Sequence, residues 1–210
     1  MLIKVISILS SLTLLSRILG YLRDLLIAKV VGAGLVSDCF FIAFKLPNLF
    51  RRLFAEGSMN SAFIPVVSGV KQKLGRIESD RFFSKIFSLL IVFLFFFVIL
   101  LEIFAPFVLS LIAPGFSENS FKKDLAVDFS RLTFPFLFFI CATSLIGAYL
   151  NTLGKFASMA LTPIILNVTI ILCLLIFFKN GDKVFVSYYL SLSISLAGVL
   201  QFIWMLFNLK

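Results

Sequence analysis

Residues 86–113 read IFSLLIVFLFFFVILLEIFAPFVLSLIA. The run is almost pure Phe, Leu, Ile and Val, interrupted by Glu102 and Pro106. A helix needs about 20 such residues, at 1.5 Å rise each, to cross the hydrocarbon of a bilayer. This stretch is long enough, and the rest of the chain resembles it. Of the 210 residues, 61% are hydrophobic and 14% charged, with 28 phenylalanines and no histidine. The mean hydropathy is +1.13. A soluble domain is roughly 45–50% apolar and about 25% charged. The composition therefore excludes a soluble enzyme, a disordered chain and a disulfide scaffold, and leaves an all-α polytopic membrane protein.

Working outward, 156–178 and 184–209 carry no charge inside the run, and 125–150 carries only Asp128 and Arg131 near its start. That i, i+3 spacing allows the two to pair. Upstream, 5–31 is long enough to span, and 35–57 forms a second span, kinked or broken at Pro47, with an amphipathic extension to about 74. Six spans result. Lys4 before an apolar run suggests a signal peptide, but no small-residue cleavage site follows and Arg17 stands where one belongs, so the segment reads as a retained span. Lys and Arg in one set of loops (Lys4, Lys71, Lys73, Arg76, Arg81, Lys85, Lys155, Lys210) outnumber those in the other (Lys122, Lys123, Lys179, Lys183) by eight to four. The positive-inside rule then puts the N-terminus in the cytoplasm. The same topology signal accounts for much of the +9 net charge without nucleic acid.

Cys39, Cys141 and Cys173 lie far apart in apolar stretches and read as buried small hydrophobes. Without histidine there is no His metal site or imidazole base, no nucleotide-binding motif occurs, and no cofactor is expected.

The informative feature is charge within the first two spans. One charged side chain at the bilayer centre costs about 2.5–3.5 kcal/mol even on the lenient insertion scale. At about 100° per residue, Thr13, Ser16, Arg17, Gly20, Arg23 and Asp24 fall on one arc of about 120°, opposite a face rich in Leu and Ile. On span two, Asp38, Lys45, Asn48, Arg52 and Glu56 lie within an arc of about 80°, with Arg51 off it. Both stripes are expected to face a wet cavity. Arg17, Arg23, Lys29, Lys45, Arg51 and Arg52 against Asp24, Asp38 and Glu56 leave a surplus of three cations. Arginine stays protonated and its planar fork suits phosphate oxygens, so the expected ligand is a phospholipid-like or lipid-linked phosphate. The structural alternative is that Lys29 snorkels, Arg51 and Arg52 anchor at the interface, and Arg17 pairs with Asp24. Asn167 and Gln201 read as interhelical hydrogen bonders.

These residues carry a resemblance. Ser16-Arg17-Ile18-Leu19-Gly20, Arg23-Asp24, Gly32-Ala33-Gly34 and Asp38 are similar to the start of the MurJ/MviN family, within the MOP exporter superfamily. Phe44-Lys45-Leu46-Pro47-Asn48-Leu49 followed by Arg51-Arg52-Leu53-Phe54-Ala55-Glu56-Gly57 is the most specific piece, and Phe63-Ile64-Pro65, Ala113-Pro114-Gly115-Phe116 and Thr133-Phe134-Pro135 extend it. The resemblance implies a lipid II flippase of the bacterial inner membrane, moving undecaprenyl-diphosphate-linked peptidoglycan precursor between leaflets. It implies that Arg17, Arg23 and Arg52 bind the diphosphate, with Asp24, Asp38 and Glu56 as acidic members. It also implies two six-helix lobes around the cavity. The present chain resembles the N-terminal lobe alone, so a C-terminal lobe is the expected partner and residues 1–210 by themselves are expected not to transport. Other readings are a polysaccharide-precursor flippase of the same superfamily, and a non-transporting scaffold acting through the basic segment Lys71–Lys85. An intramembrane enzyme is disfavoured, because no nucleophile–base motif appears.

Overall fold

The computed structural model describes residues 2–53, 59–177 and 181–209. It is all-α among these residues. The first helix, α1 (Leu2–Val30), turns at 31–34 into α2 (Leu35–Phe50). The turn is built on Gly32 and Gly34, with φ of 73° and 146°, values that side chains with a Cβ rarely adopt. Pro47 sits inside α2, and the helix survives it, continuing as a turn of π-helix over 51–53. At 16 residues, or about 24 Å, α2 is shorter than the hydrocarbon core, and the end of the expected second span (54–57) lies outside the described residues.

The next helix, α3 (Met59–Ile103), is interrupted at Gly75, where φ is 86° and ψ is 177°. Twenty residues of straight helix span about 30 Å. Yet the ring of Phe63 lies 6.4 Å from those of both Phe82 and Phe83. The chain therefore folds back at Gly75, and α3 is a helical hairpin with arms 59–74 and 76–103. Beyond it, α4 (Ala105–Ile112) follows a break next to Pro106, and a 3₁₀ segment over Pro114–Glu118 leads to α5 (Ser120–Thr133). The expected fourth span is two helices, α5 and α6 (Pro135–Thr152), divided where Pro135 removes a backbone donor. Near this break Ser195 Oγ donates to the Leu132 carbonyl at 2.5 Å, and Thr133 Oγ1 to the Ala43 carbonyl at 3.0 Å. Neighbouring helices thus satisfy backbone groups that lipid could not. A single turn, α7 (Ala157–Ala160), precedes α8 (Thr162–Phe177), and α9 (Lys183–Leu209) completes the set. Five of the described helical stretches are long and apolar enough to cross a membrane: 6–30, 61–103, 120–152, 157–177 and 183–209.

The core is organised around α6, which packs against α9 and α3, while α8 packs on α9 and α2 on α5. Ile140 through Leu150 are buried without exception. Small residues allow this closeness: a Cβ on Gly198 of α9 would stand 2.9 Å from the Phe136 ring. In contrast, α1 stands at the side of the bundle, held by α8 and α7. The expected Asp128–Arg131 pair does not form, because Asp128 Oδ2 accepts instead from Tyr188 Oη at 2.7 Å. The three cysteines are free and buried, and Gln201 and Asn167 each bond to a neighbouring helix.

Candidate functional site

Joined by a short turn, α1 and α2 pack on different partners, and a cavity of about 710 Å³ opens at that turn. Asp24, Ile27 and Ala28 line it from α1, and Ser37, Asp38 and Phe41 from α2. Two acidic candidates are thereby brought to one space. Neither carboxylate is free. Asp38 accepts from Lys122 Nζ at 3.1 Å, and that ammonium also stands 4.2 Å from the centre of the Phe116 ring, a cation–π contact. Sequence reading counted Lys122 only as a loop charge. Nothing in its spacing signals the pairing, which arises because α5 packs on α2.

Asp24 is engaged by its neighbour. Arg23 donates from Nε and Nη2 to Asp24 Oδ1, at 2.9 and 2.7 Å, and from Nη1 to Asn167 Oδ1 of α8 at 2.9 Å. The alternative pairing of Arg17 with Asp24 is not what forms. Asn167 also donates to the Ser16 carbonyl at 3.0 Å, so it grips α1 in two places. It is 5% exposed, and its amide lies 3.5 Å from where a Cβ on Gly20 would be. A guanidinium has five N–H donors, and these contacts occupy three, leaving two.

The single polar arc expected on α1 is therefore divided. Its Ser16–Gly20–Arg23 edge is turned to α8, and its Thr13–Arg17–Asp24 edge is exposed. The physical reason is the lone amide of the uncharged α8, whose oxygen accepts from Arg23 and whose nitrogen donates to the Ser16 carbonyl. The α2 stripe behaves more simply. Asp38, Lys45 and Arg52 are exposed, while Cys39, Phe40, Ala43 and Pro47 on the opposite side are buried. Arg51 Nε donates to Asn48 Oδ1 at 3.1 Å, so this pair is tied within its own turn. Arg17, Lys45 and Arg52 have no ion-pair partner among the described residues. Glu56 lies outside the described residues.

Two consecutive helices thus present exposed cations, and the first of them is long and apolar enough to cross a membrane. A family model described as lipid II flippase MurJ matches residues 27–210. The chain belongs to the MurJ lipid II flippase family. Its relatives include the probable lipid II flippase MurJ of Rickettsia prowazekii (strain Madrid E), 40% identical over 203 residues, covering 97% of this chain and 39% of that protein. The counterpart from Rhizobium tropici is 39% identical over 192 residues, covering 90% of this chain and 36% of its own length. A solved structure of lipid II flippase MurJ in an inward closed conformation superposes with a TM-score of 0.81 at 31% identity, covering 95% of this chain and 41% of the other. The chain thus spans about two fifths of the length of the MurJ proteins it matches. Within the MurJ family frame it is an all-α, multi-pass membrane lobe. The motif at 16–24 lies just before the 27–210 match and is the stretch that Asn167 holds.

Proposed function

We propose that residues 1–210 form the N-terminal lobe of a lipid II flippase, with six spans and a cytoplasmic N-terminus, in the bacterial inner membrane. In this reading a second helical lobe closes over the exposed edges of α1 and α2. The enclosed space takes the diphosphate of undecaprenyl-linked peptidoglycan precursor while the polyprenyl tail stays in lipid, and alternating access carries the headgroup across. Arg17, Arg23 and Arg52 contact the diphosphate. Lys45, Asn48 and Arg51 line the same wall. Asp24, Asp38 and Glu56 orient the cations and moderate their charge.

The observation that carries this reading is the exposure of Arg17, Lys45 and Arg52 without an ion-pair partner among the described residues. Guanidinium and ammonium groups at membrane depth are costly unless an anion or water meets them. Arg23 supports the reading in a different way. Asp24 and Asn167 hold its guanidinium in place and leave two N–H groups free, which lowers the ordering cost of a bidentate phosphate contact. The test is growth rescue of a strain depleted of its own flippase. Complete protein carrying Arg23→Ala or Arg52→Ala is expected to reach the membrane at normal levels and fail to rescue. Full rescue by both variants would overturn the diphosphate role.

A further inference from the structure

The α3 hairpin is not used by the transport reading, and its tip has an unusual surface. Leu74 and Ile77 flank the Gly75 turn and are 66% and 70% exposed. Lys73, Arg76 and Arg81 surround them, all exposed. Across 71–85 there are five cations and two acids. The acids are occupied locally: Glu78 pairs with Arg81 at 2.5 Å, and Asp80 lies 4.0 Å from Arg76 and accepts from the Tyr149 hydroxyl.

Three contacts fix how far this tip projects. Lys71 Nζ donates to the Thr152 carbonyl at 3.1 Å, satisfying one of the orphan acceptors at the end of α6. Tyr149 bonds Asp80, and the Tyr149 ring stacks on Phe83 at 4.2 Å. Lys71 and Asp80 are therefore level with the last turn of α6. Leu74 lies three residues past Lys71 and Ile77 three residues before Asp80, so both stand about 4.5 Å beyond that level. A bilayer of about 40–45 Å around a core of about 30 Å has headgroup layers about 5–8 Å thick. A projection of about 4.5 Å past the end of a spanning helix matches the depth of such a layer.

We infer that the Leu74–Ile77 tip rests in the anionic headgroup layer of the membrane that the chain spans, its two apolar side chains inserted among lipids and Lys73, Arg76 and Arg81 on phosphates. A surface that joins apolar side chains to a ring of cations suits a lipid interface, where the stems and the charges find different depths. The positive φ of Gly75 builds the turn into the backbone, so the tip is formed before lipid meets it.

The complete protein, spin-labelled at Ile77→Cys and reconstituted in vesicles, tests this. Cys39, Cys141 and Cys173 are buried, and replacing any cysteine outside residues 1–210 by alanine directs the label to position 77. In vesicles of phosphatidylglycerol and phosphatidylethanolamine the label is expected to be shielded from an aqueous nickel chelate and open to dissolved oxygen. Adding Lys73→Gln, Arg76→Gln and Arg81→Gln is expected to raise nickel accessibility about fivefold or more, the factor equivalent to about 1 kcal/mol for a single basic residue near an anionic surface. A label at Leu74→Cys repeats the measurement if the first variant assembles poorly. Free nickel access in anionic vesicles overturns the inference. So does shielding that is equal in phosphatidylcholine and unmoved by the triple variant, because protein and not anionic lipid then covers the tip.

Discussion

Two helices of membrane-spanning length, α1 and α6, are used in opposite ways. From Ile140 to Leu150 every residue of α6 is buried. Ser144 Oγ bonds back onto its own helix, donating to the Ile140 carbonyl at 2.7 Å, and the Tyr149 hydroxyl near its end reaches across to Asp80. In α1 the most apolar window contains no buried residue, and charges stand where α6 has hydroxyls and small side chains. Hydropathy tells that both belong in a membrane. The kind of polar residue tells which one is a pillar and which one is a wall facing something else. A hydroxyl can fold its bond back onto its own helix, whereas a guanidinium needs a partner from outside.

The contrast breaks first if the pillar proves tolerant. Leu145 is 1% exposed and Leu14 is 61% exposed. Leu145→Ala leaves a cavity and is expected to cost about 2–3 kcal/mol, whereas Leu14→Ala exchanges one lipid-like contact for another and should stay within about 0.5 kcal/mol. Thermal unfolding of the purified variants in detergent compares them, and equal shifts would erase the distinction. A smaller effect is expected where the wall is fastened. Asn167→Ala removes the bonds to Arg23 and Ser16, and should cost about 0.6–1.7 kcal/mol, the range of interhelical hydrogen bonds in membranes. A double-mutant cycle with Arg23→Ala should show most of the Arg23 part as coupling, and strict additivity would mean that the bond contributes nothing. The smallest stability change belongs to Arg17→Gln, within about 0.5 kcal/mol because no ion pair is lost among the described residues. The same variant is expected to lower growth rescue by the complete protein, so a stability shift without a growth defect would assign Arg17 to the scaffold.

Much of this was legible beforehand. Long apolar runs announced an all-α membrane protein, and the motif around Arg51 and Arg52 pointed to the family that the comparisons then established. On α2, periodicity alone separated the exposed Asp38, Lys45 and Arg52 from the buried Cys39, Phe40 and Ala43. On α1 the same arithmetic found the polar arc but not its division, because the dividing agent, Asn167, lies 144 residues from Arg23 in the chain. The Asp38–Lys122 pair and the Asp128–Tyr188 bond were hidden for the same reason, as each depends on which helices become neighbours. A reversal between spans two and three was expected within 71–85, but its sharp placement at Gly75, with helix on both sides, was not. A glycine within a helical pattern usually remains helical, and only the packing of Phe63 against Phe83 reveals the fold-back.

The double grip of Asn167 also limits how α1 can move. A hydrogen bond to the Arg23 side chain alone would let the helix swivel, with the flexible guanidinium following. The second bond, to the Ser16 backbone nearly two turns away, pins both azimuth and height. In the proposed transport cycle, any swing of α1 must therefore take α8 along or give up both bonds at once, which favours the lobe rocking as one body over a single helix peeling away.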